Sequence, residues 1–308
     1  MNAFFPEGWL TASSQNRKNT FTPSFLSEAT KTGEILESVA YVCDSEHNLL
    51  VDLGTIKGII PRDEGAIGIS DGSTRDIALI SRVGKPVSFI VEKIEADENG
   101  KLIARLSRRR AQEKCRAEFL STLIKGDVIG AKITHLESFG AFCDIGCGVP
   151  ALLPIDSISV SRISHPKDRF KVGDDIKAVV KDIADDGKIT LTHKELLGTW
   201  QENADLFSVG QTVTGIVRSV EDYGIFVELT PNLAGLAELK SGVKVGDLAG
   251  VYIKNIMSDK MKVKLIIIDS FSGEYSPDIT YFNFDNHIDR FDYSPESCKR
   301  KIFTDFSA

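Results

Sequence analysis

Two short stretches of this chain set aromatic rings where they could stack on a planar ligand. Phe139-Gly140-Ala141-Phe142 and Tyr223-Gly224-Ile225-Phe226 each place two rings three residues apart, with a glycine after the first. An exposed ring on a β surface offers a nucleobase about 1–3 kcal/mol of stacking, whatever the base. Residues three apart on a regular strand face opposite sides, so the two rings can share a face only if the strand begins with a bend or bulge, which glycine permits. Burial of both rings in a core is the competing reading, and exposure is preferred here. A fainter version, His47-Asn48-Leu49-Leu50, lacks the rings. In all three stretches an acidic residue then precedes an aliphatic one: Asp52-Leu53, Asp144-Ile145 and Glu228-Leu229.

Stacking alone holds a nucleic acid weakly, so cations matter next. Lys132, Arg162, Lys167, Arg169 and Lys171 accompany the first ring pair, and Lys254, Lys260, Lys262 and Lys264 follow the second. Residues 126–194 hold nine Lys and Arg against ten Asp and Glu, so this stretch attracts phosphate only if the signs are segregated in space. The lysines after the second pair are such a segregation in sequence, with a solvated hairpin as the bland alternative. The net charge of −7 would repel phosphate as a whole, so any binding must rest on local arrangement.

Other chemistry finds little support. His47, His135, His165, His193 and His287 have no metal-ligand spacing, and Asp185-Asp186-Gly187 reads as a hairpin turn. No phosphate-cradling glycine loop or nucleophile elbow is present, so neither an enzyme nor a cofactor is expected. The five cysteines, odd in number and scattered, read as reduced and mostly buried thiols. No apolar run reaches membrane-spanning length and the start lacks signal-peptide features, which predicts a cytoplasmic protein with no membrane partner.

The elements that must carry these residues recur. Apolar runs bounded by Gly, Asp and Asn predict five strands in each of three units: residues 33–108, 125–194 and 209–269. The first unit carries an excursion at 62–83 and a turn at Asp97-Glu98-Asn99-Gly100; the second has an irregular connection at 156–172, which is short in the third, at 239–246. Gly140 to Gly224 is 84 residues and Asn48 to Gly140 is 92, a domain repeat and not a solenoid period. Helical linkers are predicted at 109–124 and 195–208. The Arg108-Arg109-Arg110 run is read as a solvated helix start or a phosphate contact. An N-terminal arm, 1–32, and an acidic, ring-rich C-terminal segment, 270–308, are expected to pack their aromatics on neighbouring barrels.

Five short antiparallel strands with a long connection between the third and fourth suit an all-β OB-fold, with a small sandwich as the alternative. Gly130-Ala131-Lys132-Ile133, Phe139 to Gly146, Phe170-Lys171-Val172-Gly173-Asp174 and Lys188-Ile189-Thr190-Leu191-Thr192 together resemble the S1 RNA-binding repeat. The resemblance covers about residues 33–270. It implies three tandem OB barrels that bind single-stranded RNA, in association with mRNA and the small ribosomal subunit. Carried onto this chain, it implies base stacking by Phe139 and Phe142 with Lys132, Asp185 and Lys188 around them, and by Tyr223 and Phe226 with Lys262. The second barrel stands as the main platform, the third as its partner and the first as structural. A histidine common late in the third strand of the family is replaced by Pro61, Pro154 and Glu238. Together with the net charge, that departure keeps open a second reading, a protein-interaction scaffold with little RNA affinity.

Overall fold

The computed structural model describes residues 4–12, 21–54, 56–98, 100–273 and 279–307. Asn99 of the predicted turn, Tyr275 of the C-terminal rings and residues 13–20 of the N-terminal arm lie outside them. Among the described residues no helix is long and apolar enough to cross a membrane.

Three closed five-stranded barrels account for most of the chain. The first is built from β1 (Ile35–Cys43), β2 (Leu49–Leu53), β3 (Ile56–Ile60), β4 (Lys85–Ala96) and β5 (Leu102–Ser107). The second uses β6 (Val128–Glu137), β7 (Gly140–Asp144), β8 (Pro150–Pro154), β9 (Asp175–Ile183) and β10 (Ile189–Thr192). The third uses β11 (Thr212–Glu221), β12 (Gly224–Thr230), β13 (Leu233–Ala237), β14 (Leu248–Met257) and β15 (Lys262–Phe271). All share one cyclic order, in which the third strand pairs with the fifth. That closing pair is parallel in each barrel, which corrects the all-antiparallel expectation. The fourth and fifth strands form an antiparallel hairpin, so the fifth runs in the direction of the third when the hairpin folds back to close the cylinder.

Alternation sets the core. On β14, Ala249, Val251 and Ile253 point inward and are fully buried while Tyr252 and Lys254 point out. Register shifts, such as that between Val217 and Ser219 on β11, mark the bulges that tighten strand curvature enough to close so small a barrel.

The chain divides into two compact units. One comprises the first barrel with its flanking helices and residues 130–132 and 144–150. In it the helix Pro23–Thr32 starts at Thr22, whose hydroxyl accepts from the Phe25 N–H, ends at Gly33, and buries Leu26 and Ala29 in the barrel's core cluster. The helix Arg108–Glu118 starts at Ser107, whose hydroxyl accepts from the Arg110 N–H at 2.9 Å. Its arginine run is not a uniformly solvated start, for only Arg110 is exposed, 3.4 Å from Glu92. Arg108 is buried in a bidentate pair with Glu7 at 2.7 and 3.0 Å, and Arg109 is held by Glu64 and Glu113. The same unit places Asp144 as the acceptor of N–H groups from Glu7, Gly146 and Gly148. Cys115, Cys143, Cys147 and Cys298 are buried.

The other unit holds most of the second barrel, the whole third barrel and the C-terminal segment. The connection after β8 is tied to the third barrel, with the Ser161 N–H on the Pro231 carbonyl at 3.0 Å and the Val160 N–H on Asn232 Oδ1 at 3.0 Å. The linker helix Trp200–Ala204 opens with a capping box of Thr199 and Glu202 and buries Trp200. C-terminal strands β16 (Arg290–Asp292) and β17 (Phe303–Asp305) form a small ribbon. Phe291, Tyr293 and Phe306 are buried in the core shared with the third barrel, as expected of a packed segment, whereas Phe284 and Phe303 stay exposed.

Candidate nucleic-acid interface

Both ring pairs sit at the turn into the second strand of their barrels, and the same backbone device shapes them. Phe139 and Tyr223 occupy the turn itself, one residue before β7 and β12 begin. A Cβ on Gly140 would lie 2.6 Å from the Leu153 carbonyl oxygen, and one on Gly224 would lie 2.6 Å from that of Ala237. Only glycine lets the neighbouring strand approach so closely at the point where the chain bends. The first ring then turns edge-on over the second: Phe139 and Phe142 centroids are 6.0 Å apart at 90°, Tyr223 and Phe226 6.1 Å apart at 87°. Phe139 is 55% exposed and Tyr223 70%, while Phe142 and Phe226 are half-buried beneath them. The rings therefore form a surface and not a core.

The surroundings differ. In the second barrel His135, which the sequence did not mark, adds a third ring 6.5 Å from Phe142, and its Nε2 lies 2.7 Å from Glu137. Lys188 is paired to Asp186 at 2.5 Å, and Asp185 sits exposed in the hairpin turn beside it. Lys132 is half-buried on β6, its stem 3.6 Å from the Cβ position of Gly8 in the N-terminal arm. Arg162 is exposed, and it directly follows Ser161, which belongs to the wall of the third barrel's cleft.

In the third barrel the rings open onto a cleft of about 580 Å³. Lys260, Lys262, Lys264 and Arg300 line it, all exposed and none paired with a carboxylate among the described residues. Among the described residues no Asp or Glu lines this cleft, in a protein of net charge −7. Lys254 lies apart, exposed on β14 at the irregularity between Ile253 and Asn255 and outside the cleft. Glu238, which stands where many family members carry a histidine, is exposed and also outside it.

Strand pairing aligns the barrels position by position. Leu152 opposite Thr190, Leu236 opposite Lys264 and Ile59 opposite Arg105 make Thr190, Lys264 and Arg105 equivalent. The residue two earlier is then Lys188, Lys262 and Ile103 in the same order. In the first barrel, accordingly, Leu50 replaces the inner ring, Ile103 replaces the lysine and Arg105 is held by Glu95 at 2.8 Å. His47 faces Asp76 at 3.7 Å, and Arg62 reaches the same carboxylate at 2.8 Å. Among the described residues no cluster of His, Cys, Asp or Glu is placed to hold a metal.

Three OB barrels in tandem, two of them carrying paired rings at the same turn, define a class of modular S1-type protein. Comparison with known families agrees: residues 122–194 match the family described as S1 RNA binding domain. The chain is similar to the small ribosomal subunit protein bS1 of Leuconostoc lactis, 32% identical over 231 residues, covering 71% of this chain and 50% of that protein. It is likewise similar to bS1 of Staphylococcus aureus strain COL, 30% identical over 220 residues, covering 70% and 54%. It thus spans about half the length of the curated relatives it matches. Among solved structures it is similar to a multidomain protein with nucleic acid binding domains from Streptococcus pneumoniae, at 14% identity and a TM-score of 0.25, covering 77% of this chain and 74% of that one.

Proposed function

We propose that this protein binds single-stranded RNA in the cytoplasm by stacking bases on the ring pairs of its second and third barrels, acting by binding and not by catalysis. Small-subunit ribosomes and mRNA are its proposed partners, by likeness to bS1. The observation that carries the reading is the third-barrel cleft, where Tyr223 and Phe226 meet four cations and, among the described residues, no carboxylate. Rings supply sequence-tolerant stacking and cations supply a salt-dependent phosphate term, the two ingredients of single-strand recognition. In this reading Phe139, Phe142 and His135 make the second platform, where Lys188 engages phosphate only by leaving Asp186, and Arg162 serves the third barrel more than the second. The first barrel takes no RNA, since its ring positions hold His47 and Leu50 and its Arg105 is occupied.

A fluorescent 12-nucleotide RNA titrated at two salt concentrations tests this. Wild type should bind more weakly at the higher salt, and Phe226→Ala should lose about 1–3 kcal/mol of affinity, roughly 5-fold to 150-fold. Salt-independent binding, or none at micromolar protein, sinks the proposal.

A further inference from the structure

The C-terminal segment contributes to the third-barrel cleft although it belongs to none of the barrels, and the S1 family match ends well before it, at residue 194. We infer that this segment is the second wall of the RNA site, and that Arg300 clamps a backbone phosphate of the nucleotide whose base lies on Tyr223 and Phe226. The inference rests on the RNA reading of that barrel.

Three observations carry it. First, the wall is fixed. The Tyr293 hydroxyl donates to the Asn232 carbonyl at 2.5 Å, the Trp200 N–H donates to the Tyr293 carbonyl at 2.9 Å, and Thr304 donates to the buried Glu195 carboxylate at 2.8 Å. A side chain mounted on such a wall needs little ordering on binding. Second, the charge is misplaced for a purely structural segment. Lys299-Arg300-Lys301 is a basic run inside an acidic tail; Lys301 is occupied by the Pro295 and Glu296 carbonyls, and Arg300 lines the cleft, exposed and paired with no carboxylate among the described residues. Guanidinium is the side chain best shaped to hold phosphate oxygens in a two-pronged bond. Third, the space suits a ligand larger than a stacked ring. A flat platform needs no depth, but about 580 Å³ lies within the range of small-molecule sites and accommodates a base together with its sugar and phosphate.

The test uses the full chain with a fluorescein-labelled 12-nucleotide oligouridylate at several salt concentrations, comparing wild type with Arg300→Ala, Arg300→Glu, Lys299→Ala and Phe226→Ala. Lys299 is exposed, adjacent and outside the cleft, so it reports the general field. Arg300→Ala should weaken binding roughly 3-fold to 10-fold and lower the slope of log affinity against log salt by about 0.7, the value of one single-strand phosphate contact. Arg300→Glu should weaken it further and Lys299→Ala should leave it unchanged. Wild-type binding by both Arg300 variants, alongside a loss in Phe226→Ala, overturns the clamp and leaves the RNA reading standing. Equal losses in Lys299→Ala and Arg300→Ala also overturn it, because a diffuse field then explains both. Absence of binding by every protein including wild type overturns clamp and RNA reading together.

Discussion

The second and third barrels hold their ring pairs in the same geometry, within 0.1 Å and 3° of each other by subtraction of the measured values, yet surround them with opposite electrostatics. Beside Phe139 and Phe142 the lysine is tied to an aspartate and a threonine stands where the third barrel has Lys264. Beside Tyr223 and Phe226 stand four cations that pair with no carboxylate among the described residues. Ring geometry is therefore a property of the repeat, set by a glycine and a turn, whereas charge is a property of the individual barrel. A sequence motif that reports the first is silent about the second, and on charge the third barrel is the stronger candidate of the two.

The acid at the repeat's fixed position teaches the same lesson. Glu228, the counterpart of Asp144, is buried between Arg169 at 2.5 Å and Arg218 at 2.8 Å, and so joins the second barrel's connection to the third barrel. Burial pulls the Arg169 pKa below its ordinary value, with Glu228 opposing that shift, and its Nε has no hydrogen-bond partner among the described residues. Removing one member of a buried pair leaves the other charge uncompensated, at about 3–5 kcal/mol; because Arg218 still holds Glu228, Arg169→Met should cost about 3 kcal/mol. Urea unfolding monitored at Trp200 checks this, and an unchanged midpoint would show that the network does not join the two barrels in any energetic sense.

A smaller contrast concerns pH. His193 follows β10 at the position where the third barrel has the buried aliphatic Ile267. Burial pulls the His193 pKa down to about 4, opposed by its bond to the Ile158 carbonyl and aided by the nearby Arg169 charge. A histidine depressed in the folded state binds its proton preferentially in the unfolded chain. The His193 contribution to stability should therefore be constant above about pH 6.5 and fall as the pH drops from there through about 4, by a few kcal/mol at most. His193→Ile should flatten that part of the profile. Thermal melts between pH 7 and 4 in both proteins decide it, and equal slopes would mean that other groups control the acid limb.

What the sequence makes legible follows from how local each feature is. Strand alternation, hairpin turns and the glycine beside each ring pair are set within a few residues, so the barrels and the exposure of Phe139 and Tyr223 could be read directly. Arg108 could not: its partner Glu7 is 101 residues away, and only the folded arm turns a charge run into a buried ion pair. Arg300 was equally hidden. Its relevance depends on Tyr293 docking onto Asn232, although a basic run in an acidic tail was the available signal. His135 has no metal-ligand spacing in the sequence, and only the fold places its ring 6.5 Å from Phe142. Lys254 is exposed at a strand irregularity of β14 and is not among the lysines that line the cleft, a separation that residue spacing alone does not reveal.

The smallest expected effect tests the comparison most directly, by moving charge from one barrel to the other. Thr190→Lys places on β10 the lysine that β15 carries at Lys264, on a barrel whose ring geometry is already right. The cross-strand neighbour differs, however: Thr190 lies opposite Asp182, while Lys264 lies opposite Asn255. A lysine introduced alone would pair with Asp182, which already has Lys125 at 3.2 Å, and would add little to RNA affinity. Thr190→Lys with Asp182→Asn reproduces the third barrel's arrangement and also releases Lys125. With Phe226→Ala in the background to silence the third platform, the single change should leave the salt slope almost unaltered, and the double change should steepen it by about 0.7 for each lysine that reaches a phosphate. The affinity gain itself should be under about 1 kcal/mol, the ordinary worth of an exposed charge contact. A double variant with the slope and affinity of its parent would mean that charge is not what separates the two barrels, and that the depth of the third barrel's cleft, bounded by Tyr293, Arg300 and Ile302, decides the difference instead.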